Sequence, residues 1–217
     1  MIIIKTTAKD LNYINRFAAK EQTRYNLRGI RVDPEQRRLI ATDGCRLGML
    51  SNAWDKDYTL PSGAPELTAG VTLETKADKN IISVMKKLDG TVTIEIPEDA
   101  LAPTRNVNLT AKIYDNNGLS VTVGILDSSY PDYMRVFPSE RTEETTAIAF
   151  NPAYMNDFAG YDKGDKIRME FFGPLAPMMV KNSSLPDFVG LLMPYRWAAD
   201  AVSLGCLGRT QRLRRHR

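Results

Sequence analysis

Six aspartates, Asp43, Asp127, Asp132, Asp157, Asp162 and Asp165, are the residues whose type suits hard-cation chemistry, because carboxylate oxygens are what Mg²⁺ takes. Asp43 has a simpler explanation. It stands in Thr42-Asp43-Gly44 directly after a strand candidate, where Asp-Gly makes a turn. The single histidine, His216, is the penultimate residue of a basic tail, which argues against a histidine general base. Cys45 and Cys206 have neither a plausible histidine partner nor metal or disulfide spacing. No Gly-x-Gly-x-x-Gly or Walker-type loop occurs. The chain therefore reads as not an enzyme, with no metal site and no cofactor. A carboxylate enzyme remains the weakest functional class, and it would require metal-dependent turnover lost in Asp43→Asn.

Three strings carry a stronger signal: Thr42-Asp43-Gly44-Cys45-Arg46-Leu47, Tyr130-Pro131-Asp132-Tyr133-Met134-Arg135-Val136-Phe137-Pro138, and Leu191-Leu192-Met193-Pro194-Tyr195-Arg196-Trp197. The elements around them repeat. Three times a short alternating strand leads through a polar step to an amphipathic helix and further strands. Copy one has Ile2–Lys5, then a helix over about Ala8–Ala19 with Leu11, Ile14, Phe17 and Ala18 on one face. Copy two has Val71–Thr75, then Ile81, Ile82, Met85 and Leu88. Copy three has Ala147–Phe150, then Tyr154, Met155 and Phe158. Further strands are expected at Gly29–Val32, Leu39–Thr42, Arg46–Ser51, Val92–Ile96, Val107–Tyr114, Leu119–Val123, Lys166–Phe171, Met178–Val180 and Val189–Met193. Asn116-Asn117-Gly118 marks a hairpin. Their alternation suits a sheet with one solvated face.

Thr59–Gly70 and Pro97–Arg105 read as loops, and Ser128–Glu140 reads as a linker between domains. The expected organisation is a full two-repeat domain over 1–138, a half domain over 139–197 and a basic tail over 198–217. Two units can close over a shared sheet. The third, left alone, would expose a sheet edge and an apolar helix flank, which favours association.

Composition sets the outer bounds. In 217 residues, 43% apolar and 25% charged is ordinary for a soluble globular protein. No apolar run approaches the ~20 residues needed to span a bilayer. The segment Met1–Lys5 lacks signal-peptide features, so a reducing, cytoplasmic setting is expected. The net charge is +3, but residues 198–217 hold five arginines against Asp200, or +4, which leaves −1 on the body. Such a body binds nucleic acid only if its bases share one surface. The tail reads either as a phosphate or acidic-partner contact or as a solvated end.

The three strings, in this order and on these copies, resemble the bacterial sliding clamp, the beta subunit of the replicative DNA polymerase. That family carries Ala-Thr-Asp-Gly-His-Arg-Leu, and Ala41–Leu47 matches it with Cys45 in place of histidine. Its Phe-Pro-Asp-Tyr-Arg-Arg-Val-Leu-Pro and Met-Pro-Met-Arg-Leu strings are similar to the second and third strings here. Arg24-Tyr25-Asn26-Leu27-Arg28-Gly29 resembles its Arg-Tyr-Tyr-Leu-Asn-Gly, and Asn151, Tyr154 and Pro174-Leu175-Ala176-Pro177 fit its last motif. The resemblance spans residues 1–197 and covers a middle domain plus the second half of a last domain.

The resemblance implies an α+β DNA-clamp fold of three strand–helix–strand repeats. It also implies a non-catalytic processivity factor that tethers polymerase or repair proteins to DNA through short apolar peptide motifs. The matching peptide-pocket positions are Leu27, Thr42, Gly44, Arg46, Leu47, Pro131, Arg135 and Val136, with Asn151, Tyr154, Leu175, Pro177, Met193, Pro194, Tyr195 and Arg196 from the third copy. An apolar groove that buries a few side chains, with Arg and backbone groups setting direction, suits peptide capture. Double-stranded DNA would be held without sequence preference by Lys9, Arg16, Lys20, Arg24, Tyr25, Lys79, Lys86 and Lys87. The third helix has no base before Lys163, which argues against a uniformly positive lining. The implied partners include a clamp loader. Keeping a twelve-repeat ring would need four chains. The competing class is a clamp-derived adaptor or decoy that binds the peptides but does not encircle DNA.

Overall fold

Isoleucine alternation over Ile2–Thr7 makes strand β1, with Ile2 and Ile4 buried and Lys5 outside. A computed structural model describes residues 1–54, 70–101, 109–126, 129–139 and 148–195. Thr7 ends β1 and caps helix α1 (Ala8–Asn15), its Oγ1 accepting from the Asp10 N–H at 3.0 Å. The helix is shorter than the apolar periodicity predicts. Arg16 and Phe17 N–H turn back to the Tyr13 and Ile14 carbonyls, a tight last turn, and Phe17 and Ala18 are buried from the coil beyond it.

The remaining strands are β2 (Ile30–Asp33), β3 (Arg38–Thr42), β4 (Arg46–Leu50), β5 (Val71–Leu73), β6 (Thr91–Ile96), β7 (Thr110–Asp115), β8 (Ser120–Leu126), β9 (Ile167–Glu170), β10 (Met178–Asn182) and β11 (Leu185–Leu192). Two short helices, α2 (Lys79–Met85) and α3 (Pro152–Met155), accompany them. All pairings are antiparallel, and the strand order is β1-β6-β7-β8-β5-β2-β3-β4-β11-β10-β9. The expected strand at 147–150 is reduced, among its described residues, to one bridge between Ala149 and Tyr195. The predicted loop at 59–70, apart from Gly70, and the tail from 198 lie outside the described residues.

The sheet runs without a break from the first 138 residues into the last segment, because β4 pairs with β11. Gly48 faces Gly190 in that register, and both glycines are required there. A Cβ on Gly48 would lie 2.3 Å from the Phe17 ring, and one on Gly190 would lie 2.3 Å from the Phe158 ring. Two aromatic rings therefore rest on bare backbone at the joint. Phe17 and Phe158 are 5.1 Å apart, and Phe188 stands 5.7 Å from Phe17 and 5.0 Å from Tyr13. All four side chains are essentially fully buried.

This corrects the expectation that the third copy leaves an apolar helix flank open. Phe158 is covered by α1 and its following turn, within the same chain. Polar contacts seal the contact. Tyr13 Oη donates to the Phe158 carbonyl at 2.6 Å, and Arg16 donates to the Ala159 and Gly160 carbonyls at 2.9 and 3.0 Å. Lys9 pairs with Asp162 at 2.6 Å, and Tyr161 Oη donates to Asp10 at 2.8 Å.

The segment 128–140 also covers part of the sheet through its described part, 129–139, which packs over the outer face of the joint. Tyr130, Tyr133 and Phe137 pack on Ile40, Leu47, Met49 and Leu191. For that reason β4 is buried along its whole length on both faces, instead of showing one solvated face.

Candidate functional site

The turn Thr42–Leu47 is built by Asp43. Its Oδ1 accepts the N–H groups of Cys45 and Arg46 at 2.9 and 3.0 Å, while Thr42 Oγ1 accepts from Gly44 N–H at 3.0 Å. Gly44 adopts φ +86°, and a Cβ there would stand 2.8 Å from the Arg24 guanidinium. The carboxylate that sequence inspection weighs as a metal ligand thus folds the loop. Asp157 pairs with Arg46, Asp162 with Lys9 and Asp132 with Arg135. Asp165 accepts from Asn182, a bond that holds its carboxyl below the ordinary carboxylate range. Asp127 lies outside the described residues. Among the described residues no group of three or more metal-ligating side chains is gathered.

Arg46 is the hub. Its side chain is only 5% exposed. It pairs with Asp43 at 3.2 Å and with Asp157, donates to the Arg16 carbonyl at 3.2 Å, and lies 4.7 Å from the Tyr154 ring centre. A buried guanidinium needs this full set of partners. It also forms the wall between two cavities.

The first cavity is about 130 Å³ and mainly apolar, lined by Leu27, Thr42, Leu47, Pro131, Tyr133, Val136, Leu191 and Met193, with Gly44, Arg46 and Asp132 at its edges. Its walls come from all three strings singled out in the sequence. The second is larger, about 340 Å³, and more polar. Ala18, Ala19, Lys20, Glu21, Arg24, Asp43, Cys45, Arg46, Asn151 and Tyr154 line it. Asn151 caps α3, its side chain accepting from the Ala153 N–H at 3.0 Å, and this sets Tyr154 over Arg46.

No protein-family model matches the sequence, and no curated protein matches it. Solved structures do. The chain is similar to the DnaN sliding clamp of Bartonella birtlesii bound to griselimycin, at 22% identity and a TM-score of 0.62, with 90% of this chain and 66% of that one covered. The DNA polymerase III beta subunit of Thermotoga maritima gives 16% identity and a TM-score of 0.64, over 91% and 66% of the two chains. That of Borrelia burgdorferi, in complex with a natural product, gives 14% and 0.63, over 91% and 65%. This chain has the sliding-clamp fold. It spans about two thirds of the length of those clamps.

On this clamp fold, the site residues expected from sequence divide into groups. Leu27, Thr42, Gly44, Arg46, Leu47, Pro131, Val136 and Met193 converge on the apolar cavity. Asn151 and Tyr154 line the second cavity, joined by Arg46. Arg135 points to solvent at 85% exposure and pairs with Asp132. Leu175, Pro177, Pro194 and Tyr195 line neither cavity, and Arg196 lies outside the described residues. Sequence reasoning omits Asp132, Tyr133 and Leu191, although each stands inside a quoted string.

Among the expected DNA contacts, Lys9 and Arg16 stand at the contact of α1 with 158–162. Arg24 donates to the Asp43 carbonyl and, with Lys20, borders the larger cavity. Lys20, Lys79, Lys86 and Lys87 are exposed, as is Tyr25. Lys76, which the sequence does not single out, joins this group. Burial, then the charges of Lys20, Lys86 and Arg46, lower its ammonium pKa from 10.5 to about 8.

Proposed function

We propose that this protein is a non-enzymatic clamp-type docking factor that captures short apolar peptide segments of DNA polymerases or repair proteins at the joint cavity and holds them near double-stranded DNA. One observation carries the reading. Three separated strings, each similar to a sliding-clamp string, supply the walls of one apolar cavity on a sliding-clamp fold. Tethering raises the local concentration of the partner without any chemistry. Met193 offers adaptable apolar contact in the lining, while Arg46 is held by Asp43 and Asp157.

The DNA part of the proposal draws on Lys20, Lys76, Lys79, Lys86 and Lys87. Burial first, and then the neighbouring charges of Lys20, Lys86 and Arg46, lower the pKa of Lys76, and a phosphate beside it would favour its charged form. Contacts of this kind are sequence-independent and salt-sensitive. A homo-oligomer, up to four chains, would pair through β9, which ends the described sheet. Light scattering at micromolar concentration tests that assembly, and a stable monomer removes it.

The direct test of docking uses a fluorescein-labelled octapeptide ending in Leu-Phe, titrated with the full chain. Saturable anisotropy is expected, with at least tenfold weaker binding by Leu47→Asp at unchanged circular dichroism. No binding by the chain sinks the reading. The adaptor alternative gains from Lys9 and Arg16 being occupied within the chain. Retention on nicked circular DNA that is lost on linearisation supports a ring. Peptide binding without such retention supports the adaptor.

A further inference from the structure

Strands β6 and β9 hold the same place in their units. Each follows its unit's helix and pairs antiparallel with the next strand, β7 or β10, which pairs in turn with β8 or β11. On its other side β6 is covered by β1, and its core-facing Val92, Ile94 and Ile96 are fully buried. Among the described residues no strand lies on the other side of β9. Met169 stands directly across from the fully buried Val180, so it belongs to the core-facing side, yet it is 40% exposed. Ile167 and Phe171 beside it are half-buried. The β1–β6 pair shows what this edge accepts, an antiparallel strand.

Hydrogen-bonding direction and charge select a second copy of β9. Ser183 N–H donates to the Lys166 carbonyl at 2.9 Å, so the main-chain groups of Lys166, Arg168 and Glu170 turn toward β10. Those of Ile167 and Met169 therefore point to the open side. On the outer face Arg168 lies opposite Lys181, two like charges, and its 78% exposed side chain reaches Glu170 at 3.0 Å. An antiparallel β9 centred on Met169 sets Arg168 opposite the partner's Glu170, and Glu170 opposite the partner's Arg168. The two Met169 residues exchange both main-chain hydrogen bonds, and Ile167 meets the partner's Phe171. The charged pairs then fall at the non-hydrogen-bonded positions, where side chains approach most closely. Strand β1 of a second copy has Lys5 as its only charged side chain and brings Arg168 no carboxylate.

We propose that two copies of this chain join through β9 in a two-fold antiparallel pair centred on Met169, fastened by two reciprocal Arg168–Glu170 ion pairs. This rests on the homo-oligomer part of the reading above and gives it a contact, while peptide docking does not depend on it. The contact is isologous and closes at two chains, so any larger assembly needs a different surface. It also covers an edge that would otherwise template non-specific strand pairing. Strand β10 separates β9 from β11, whose Leu191 lines the apolar cavity, so the pair carries two such cavities in one assembly.

Light scattering of the full chain at micromolar concentration is expected to give twice the chain mass. Arg168→Glu and Glu170→Arg each set like charges opposite one another twice, and each should weaken self-association about tenfold or more at unchanged circular dichroism. Mixed in equal amounts, the two variants face each other with opposite charges again and should recover the wild-type mass. Met169→Cys places two thiols at the two-fold and should add a reducible dimer band that the wild-type chain lacks. A monomeric wild-type chain, single variants that associate as the wild type does, or a mixture that stays dissociated overturns the proposal. A monomer that still binds the fluorescein-labelled octapeptide overturns this pairing and leaves docking standing. A dimer that does not bind the octapeptide overturns docking alone.

Discussion

Arg46 concentrates the site's energetics in one side chain. Truncating one partner of a buried, hydrogen-bonded charge pair leaves the other uncompensated, so Arg46→Ala should destabilise the fold by about 3 kcal/mol in urea titration. Arg46→Lys keeps the charge but loses the fork and the Tyr154 stack, and should recover only part of that loss. Tyr130 gives the opposite sign. Its hydroxyl is buried without a hydrogen-bond partner among the described residues, and burial raises its pKa. Tyr130→Phe should therefore stabilise the protein by about 1 kcal/mol. Lys76 sets a pH dependence. Because its folded pKa of about 8 lies below the ordinary 10.5, the unfolded chain holds the extra proton between those values. Its contribution thus makes stability rise with pH across that window, and the penalty is at full strength below it. Urea melts of Lys76→Met should lack that rise, and an identical slope in both proteins would contradict the assignment. None of these three roles is legible in sequence, because each depends on neighbours far along the chain.

At the scale of elements, the β4–β11 pairing makes the joint, and glycine opposite glycine makes the pairing possible. Gly48→Ala or Gly190→Ala would push Phe17 or Phe158 off the sheet, with an expected cost of about 1–3 kcal/mol by thermal or urea melting. Wild-type stability in both variants would show that the rings do not hold the joint. Strand positions were largely legible, since alternation in Ile2–Thr7, Thr91–Ile96 and Thr110–Asp115 is a local property. Helix length was less so. Apolar spacing continues through Phe17 and Ala18, but the helix ends at Asn15 in a tight turn with Arg16 and Phe17 N–H bonded three residues back, and those side chains are buried from beyond it. The packing of 129–139 was not legible, because two prolines and polar neighbours read only as a linker. Only the facing surface of Ile40, Leu47, Met49 and Leu191 shows that its three aromatic side chains have somewhere to go.

At the scale of the whole molecule, the unpaired third unit is not left over. Its Phe158 enters the core of the first unit, and the same contact brings the Tyr154 and Met193 walls against Leu47 and Val136 through Arg46. The apolar cavity was legible in the sequence because its wall residues sit in strings with a family resemblance. The engagement of Lys9 and Arg16 with 158–162 was not, since it is a tertiary contact. The central claim is that an apolar peptide is held where the three strings meet. The measurement that reaches it most directly is photo-crosslinking of an octapeptide bearing benzoylphenylalanine at its terminal apolar position to the full chain, with adducts mapped by mass spectrometry. Adducts confined to Thr42–Leu47, Pro131–Val136 and Leu191–Met193 are predicted, and adducts spread elsewhere, with these three strings unlabelled, would contradict the account.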